Sequence, residues 1–245
     1  MSMSIAALRE SLGLGESDAF TANEFPLHRK YDQVVAITRS GTTTEVVELL
    51  KKLKGQNTLV ITAVEDSPAA IEAKSKAVLD FADEKSVLQT RYATTVLALM
   101  RTHFGQDLSD AIDQCRIAIS EPVDADIVAS GQITFLGTGW TIGLAHEAAL
   151  KTRESSQFWA EAYPAMDYRH GPISIAEPGR SVWMFGGAPK GLKQDVAETG
   201  GTWINNEIDP MVDLVMAQRV ALAIASSKSL DSDNPRNLTR SIVLN

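Results

Sequence analysis

One pattern restricts this chain more than any other. Short apolar, β-branched runs alternate with segments of helical spacing, and the alternation happens twice. Gln33-Val34-Val35-Ala36-Ile37 reads as a buried parallel strand. It leads through a hydroxyl-rich stretch, residues 38–45, into a helix over residues 46–53. Thr58-Leu59-Val60-Ile61-Thr62 gives a second strand, and residues 76–81 a third. Between them Ser67-Pro68 opens a helix, with serine as N-cap and proline in the first turn. A long helical region is predicted over residues 87–119, and Glu121-Pro122 ends it. The alternation then restarts with the strand Gln132-Ile133-Thr134-Phe135-Leu136, the loop Gly137-Thr138-Gly139 and a helix over residues 141–155. Further strands are predicted at 181–185 and 202–204, and helices at 190–199 and 210–227.

Strands alternating with helices argue an α/β fold with parallel sheets. The restart near residues 121–131 predicts two similar lobes, residues 1–121 and residues 131–245. Each is expected to be a doubly wound, flavodoxin-like unit, a parallel sheet flanked by helices. The first lobe is expected to be abbreviated at its N-terminal side. Before residue 31 it offers only a short amphipathic helix, stopped by Gly13 and Gly15, and the run Asp18-Ala19-Phe20-Thr21-Ala22.

Composition excludes several classes. Of 245 residues, 23 are basic and 31 acidic, a net charge of −8. A field of that sign repels phosphate backbones and anionic lipid, so no nucleic-acid or membrane partner is expected. No apolar run approaches a membrane span, and the start lacks the basic segment of a signal peptide. The single cysteine, Cys115, suits a reducing compartment, so a cytoplasmic protein is expected.

Three segments carry candidate chemistry. Residues 38–45 lie between a strand and a helix, where ligands bind in parallel α/β sheets and where helix amides favour an anion. Gly41 would let the backbone approach a ligand, and Thr38, Ser40, Thr42, Thr43 and Thr44 add hydroxyls. The same residue types also cap helices, and spacing alone leaves both readings open. Glu147, Lys151 and Glu154 share one helical stripe, which reads either as a site or as a solvated ion-pair face. His170 sits in the non-helical corner Tyr168-Arg169-His170-Gly171-Pro172, and a free histidine suits proton transfer near neutrality. The nucleotide and zinc motifs fail. Gly191 is followed by Leu192 rather than Lys, Ile142 replaces the third glycine of a dinucleotide loop, and Leu150 replaces the second histidine of a metalloprotease helix.

Thr38-Arg39-Ser40-Gly41-Thr42-Thr43-Thr44-Glu45 resembles the Ser-x-Ser-Gly-x-Thr phosphosugar loop of the sugar isomerase (SIS) family. Glu147-Ala148-Ala149-Leu150-Lys151-Thr152-Arg153-Glu154 resembles the catalytic helix in the isomerase half of glucosamine-6-phosphate synthases. Ala160-Glu161-Ala162-Tyr163, Arg169-His170-Gly171-Pro172 and the tail from Asp233 to Ser241 follow at the family's spacing. The resemblance implies two SIS lobes in a homodimer with shared active sites, a small sugar phosphate as ligand, and neither metal nor organic cofactor. It implies Glu154 as the base between C1 and C2, His170 as the ring-opening residue, and Lys151 close to the sugar. It further implies Thr38, Arg39, Ser40, Gly41 and Thr43 around the phosphate, with Val87, Gln89 and the tail residue Arg240 around the sugar.

The sequence departs from the family pattern at four places. No glutaminase domain or N-terminal cysteine nucleophile is present, so ammonia from glutamine is not expected. Arg240 stands at the family's tail lysine and cannot form an imine. Gln89 stands at a serine. The opening strand and loop of the first lobe are missing. The expected activity is that of a phosphosugar aldose–ketose isomerase or an amino-sugar-phosphate deaminase acting on a hexose or hexosamine 6-phosphate. A fructosamine-phosphate deglycase and a non-catalytic sugar-phosphate sensor are the alternatives.

Overall fold

A computed structural model describes residues 1–244. Helix α1 (Ser2–Ser11) precedes a first series: β1 (Val34–Ile37), α2 (Thr44–Lys52), β2 (Thr58–Thr62), α3 (Pro68–Glu72) and β3 (Ser75–Val78). The three strands form a parallel sheet in sequential order, β1-β2-β3, with Val34 opposite Thr58 and Leu59 opposite Ser75. The predicted cap on α3 is present: Pro68 is in its first turn and Ser67 Oγ accepts from the Ala70 amide.

The long helical region of the prediction is two helices, α4 (Arg91–His103) and α5 (Ser109–Ala118). Gly105, at φ +85°, turns the chain after α4 in a conformation that side-chain-bearing residues avoid. The break lets Arg101 reach Asp209 with two hydrogen bonds of 2.7 Å and Gln106 with a third of 2.7 Å.

After α6 (Ala125–Val128) the second series runs β4 (Gln132–Gly137), α7 (Thr141–Ser156), β5 (Ala160–Pro164), β6 (Arg180–Phe185), α8 (Leu192–Glu198), β7 (Thr202–Ile204) and α9 (Pro210–Ser227). Its sheet is parallel, in the order β5-β4-β6-β7. Residues 160–164, for which the sequence pattern predicts no strand, form β5. They pair through Ala160 with Ile133 at the sheet edge, where Glu161 and Tyr163 remain half-buried, so the apolar run of a central strand is absent. β4 is buried along its whole length, as a central strand must be.

Helices cover both sheets. Phe135, Trp183 and Phe185 form a stacked aromatic layer with centroids 6.0–6.4 Å apart. Leu97 of α4 is buried in that same core. From the other end of the chain, α1 rests on α7 so closely that a Cβ at Gly143 would lie 2.3 Å from Ser4 Oγ. Ile5 of α1 packs both on this core and on the cluster around Ile61 of the first sheet, so the two cores are in contact. Asp213 of α9 is 2 % exposed beneath the aromatic layer and accepts from the Trp183 indole at 3.0 Å and from Asn206 at 2.6 Å. Burial pushes its carboxyl up to about 6, against the lowering effect of those two donors. Among the described residues no helix is long and apolar enough to cross a membrane.

Candidate active site

The loop after β1 keeps sheet pairing for one more residue, since the Thr38 amide donates to Ile61 O at 3.0 Å. The chain then turns at Gly41, φ +65°. A Cβ there would sit 2.0 Å from Ser67 Oγ, and Gly41 O accepts from the Ala69 amide at 2.9 Å. The missing side chain thus admits the N-cap of α3. Ser40 Oγ accepts from the Thr42 amide at 3.3 Å and from Thr42 Oγ1 at 2.9 Å, which fixes the turn. Thr43 is the N-cap residue of α2, yet its side chain makes no cap hydrogen bond. A capping role therefore does not account for Thr43, and its hydroxyl is left beside the positive end of the helix.

A second turn, residues 83–90, lies next to this loop. Glu84 holds it by accepting from the amides of Thr90 at 3.0 Å, Arg91 at 3.1 Å and Tyr92 at 2.9 Å, so its carboxylate caps α4. Sequence reasoning missed Glu84. The signal was an acidic side chain just ahead of a helix that otherwise lacks a cap. Val87 and Gln89 ride on this turn, both half-buried.

Arg39 crosses from the first loop to the second turn. It is 2 % exposed, donates from Nη1 to Ser86 O at 2.8 Å and from Nη2 to Val87 O at 3.1 Å, and approaches Arg240 O at 3.5 Å. Burial first, and then the charge of Arg240, presses its pKa below the ordinary arginine range. Arg240 grips the same turn from the other side, with Nη1 on Glu84 O at 2.6 Å and Nη2 on the Asp83 carboxylate at 2.6 and 2.7 Å. Both head groups are thus engaged with protein acceptors. Asp83 had also gone unnoticed in the sequence.

The tail touches the loop and the turn and lines a separate cavity further up. Asp233 O accepts from the Val87 amide at 2.9 Å, Ser241 Oγ lies 2.8 Å from Thr42 Oγ1, and Ile242 O accepts from the Thr44 amide at 3.0 Å. Further up the tail, Arg236 and Leu238 line an open cavity of about 530 Å³ with Glu154, Trp159 and Glu161. Glu154 and Lys151 lie three residues apart on α7, with Lys151 Nζ 2.6 Å from Glu154 Oε2 and 3.8 Å from Glu147 Oε1. Lys151 is buried, so the stripe is not a fully solvated ion-pair face. His170 is not among the residues lining the cavity. It is exposed at the end of a 3₁₀ turn, Asp167–His170, which Arg169 ties to Asp195 at 2.6 Å.

No protein-family model matches the chain. Among curated proteins it is 26% identical over 253 residues to glutamine–fructose-6-phosphate aminotransferase (isomerizing) of Sulfurisphaera tokodaii, covering 88% of this chain and 43% of the relative. It is 26% identical over 273 residues to the same enzyme of Listeria monocytogenes, covering 91% and 45%. The chain thus spans about half the length of the curated relatives it matches. Glucosamine-6-phosphate deaminase of Thermotoga maritima superposes with a TM-score of 0.83 at 24% identity, over 99% of this chain and 86% of that one. Tagatose-6-phosphate ketose/aldose isomerase of Escherichia coli gives 0.76 at 17%, over 99% and 82%. The parallel sheets flanked by helices match those of these neighbours, which share the sugar isomerase (SIS) fold. The homologues of this chain are the isomerase half of glucosamine-6-phosphate synthase, so the resemblance read from the sequence holds.

Proposed function

We propose that this chain is a phosphosugar isomerase or amino-sugar-phosphate deaminase acting on a hexose or hexosamine 6-phosphate. The observation that carries the reading is Thr43, a helix N-cap residue whose side chain makes no cap bond, at the carboxyl end of a parallel strand. A phosphate ester meets Thr38, Ser40 and Thr43 there, with the first amides of α2. The activities of the relatives, on fructose 6-phosphate and glucosamine 6-phosphate, support the same substrate class.

Phosphate anchoring holds C1 and C2 of the open sugar near Glu154, which moves the proton between them while Lys151 fixes the carboxylate. Val87 and Gln89 shape the sugar site. The residues present need no metal or organic cofactor for this chemistry. We read the two sheets as two SIS lobes, residues 1–121 and 131–245, in a cytoplasmic homodimer. His170 lies outside the Glu154 cavity of its own chain, so it serves the site of the neighbouring copy. That same exposure favours a second reading, a sensor that binds a sugar phosphate without turnover.

A panel of hexose and hexosamine 6-phosphates, including a fructosamine phosphate for the deglycase reading, scored for turnover and for thermal shift, tests the proposal. Turnover of one member supports it. Thermal shift without turnover across the panel supports the sensor, and neither response overturns both.

A further inference from the structure

We propose that Arg39 and Arg240 are positioning residues. They form a clasp that holds the segment Ser241-Ile242 against the hydroxyl loop, and they do not themselves touch the phosphate. This inference rests on the reading of that loop as the phosphate site. Three stretches far apart in sequence meet here: the loop after β1, the turn at residues 83–87 and the tail. Among the described residues, the Arg39 side chain reaches both the turn and the tail from the loop, and Arg240 ties the tail to the same turn. Arg39 reaches the carbonyls of Ser86, Val87 and Arg240, and Arg240 reaches Glu84 O and the Asp83 carboxylate.

Burial, and after it the charge of Arg240, lowers the pKa of Arg39, so mutual attraction does not hold the two arginines together. Arg39 also keeps a buried Nε without any partner among the described residues. An unsatisfied buried donor costs stability, so the arrangement is held by what its other nitrogens bind. The Asp83 carboxylate balances the charge of Arg240, and the chelated carbonyls orient Arg39. The terminal nitrogens of both head groups already bond protein acceptors. What the clasp positions is the tail: Ile242 O takes the first amide of α2 and Ser241 Oγ meets Thr42 Oγ1, which sets one wall of the loop.

The test combines amide hydrogen exchange with steady-state kinetics on R39Q, R240D, D83R and the charge swap D83R/R240D. With the clasp broken in R39Q or R240D, exchange at the Thr44 amide should rise about tenfold or more, while the Val60 amide inside the first sheet stays at the parent rate. For the sugar phosphate that the parent turns over, KM should rise by about tenfold with kcat changed by less than about threefold. The charge swap should bring both Thr44 exchange and KM back toward the parent. Thr44 exchange unchanged in both R39Q and R240D would overturn the clasp. So would a charge swap that restores exchange but leaves KM raised, since Arg240 would then be a direct ligand. Should the parent turn over and bind no sugar phosphate, the proposed function fails, and the exchange result still decides whether the clasp holds the tail.

Discussion

Lys151 places its ammonium 2.6 Å from the Glu154 carboxylate and 3.8 Å from that of Glu147, inside a single helical stripe. The shorter bond holds Glu154 at the cavity wall, and the longer one holds Lys151 in place if Glu154 loses its charge. Glu154→Gln should therefore keep the fold and the affinity for sugar phosphate. Turnover should fall by about 10²- to 10⁴-fold, the range for loss of a general base. Exchange of the C2 proton with deuterated water should fall in parallel, and Glu147→Gln should cost much less. A Glu154→Gln protein that exchanges that proton at the parent rate would remove Glu154 from the chemistry.

The hydroxyl loop gives a prediction that separates binding from capping. Because Thr43 makes no cap bond, Thr43→Ala should leave the melting temperature close to that of the parent. Ser40→Ala with Thr43→Ala should weaken sugar-phosphate binding by about 1–3 kcal/mol, the scale of hydrogen bonds to a charged group. Titration calorimetry with thermal melts reads both effects. A large loss of stability with unchanged affinity would return the loop to a structural role.

Gly41 should be among the least replaceable glycines. Gly41→Ala meets a φ of +65° and a Cβ position 2.0 Å from Ser67 Oγ. Gly55 has φ +91° but open space around it, so it isolates the backbone cost. In urea unfolding, Gly41→Ala should lose about 2–4 kcal/mol and Gly55→Ala about 1 kcal/mol. Equal losses would mean that Ser67 moves aside freely.

Asp213 makes stability depend on pH in a direction opposite to that of most carboxylates. Its carboxyl is raised from 3.8 to about 6, with burial as the leading cause. The folded state then holds the proton more tightly than the unfolded state. This group's contribution is most favourable below pH 3.8, declines as pH rises to about 6, and stays low above that. The full difference is about 3 kcal/mol at 1.36 kcal/mol per pH unit. Asp213→Asn keeps a polar partner for Trp183 and Asn206 without the charge. It should therefore stabilise the protein at pH 7.5 and lose that advantage near pH 4. Denaturant midpoints at the two pH values check the sign, and an advantage that grows on acidification would refute it.

Much of the fold was legible because its strands obey one rule. Residues 58–62 and 202–204 are apolar runs between turn signals, and they became β2 and β7 at the predicted bounds. The helix at 210–227 is also present at its predicted bounds, with Asp209 as N-cap and Pro210 in its first turn. The edge strand β5 escaped because an edge needs no continuous apolar run. The break at Gly105 escaped because residues 87–119 keep a helical spacing on either side of it. In the site, local motifs pointed to the loop at residues 38–45 and to the stripe on α7. The Asp83–Arg240 pair could not be read, since nothing local to Asp83 announces a partner in the tail. The Arg39 clasp escaped for the same reason, since its acceptors are backbone carbonyls, which every residue carries.

Thr42 and Ser241 meet across a separation of 199 residues, and that distance has a consequence during synthesis. At about 5–20 residues per second, a ribosome releases the hydroxyl loop about 10–40 s before the residues that wall it. Through that interval the first sheet can form and pack α3 against Gly41, but its outer wall does not yet exist. A nascent or prematurely terminated chain therefore presents the hydroxyl loop without its contacts to Ser241 and Ile242, which arrive late and all at once with residues 240–242.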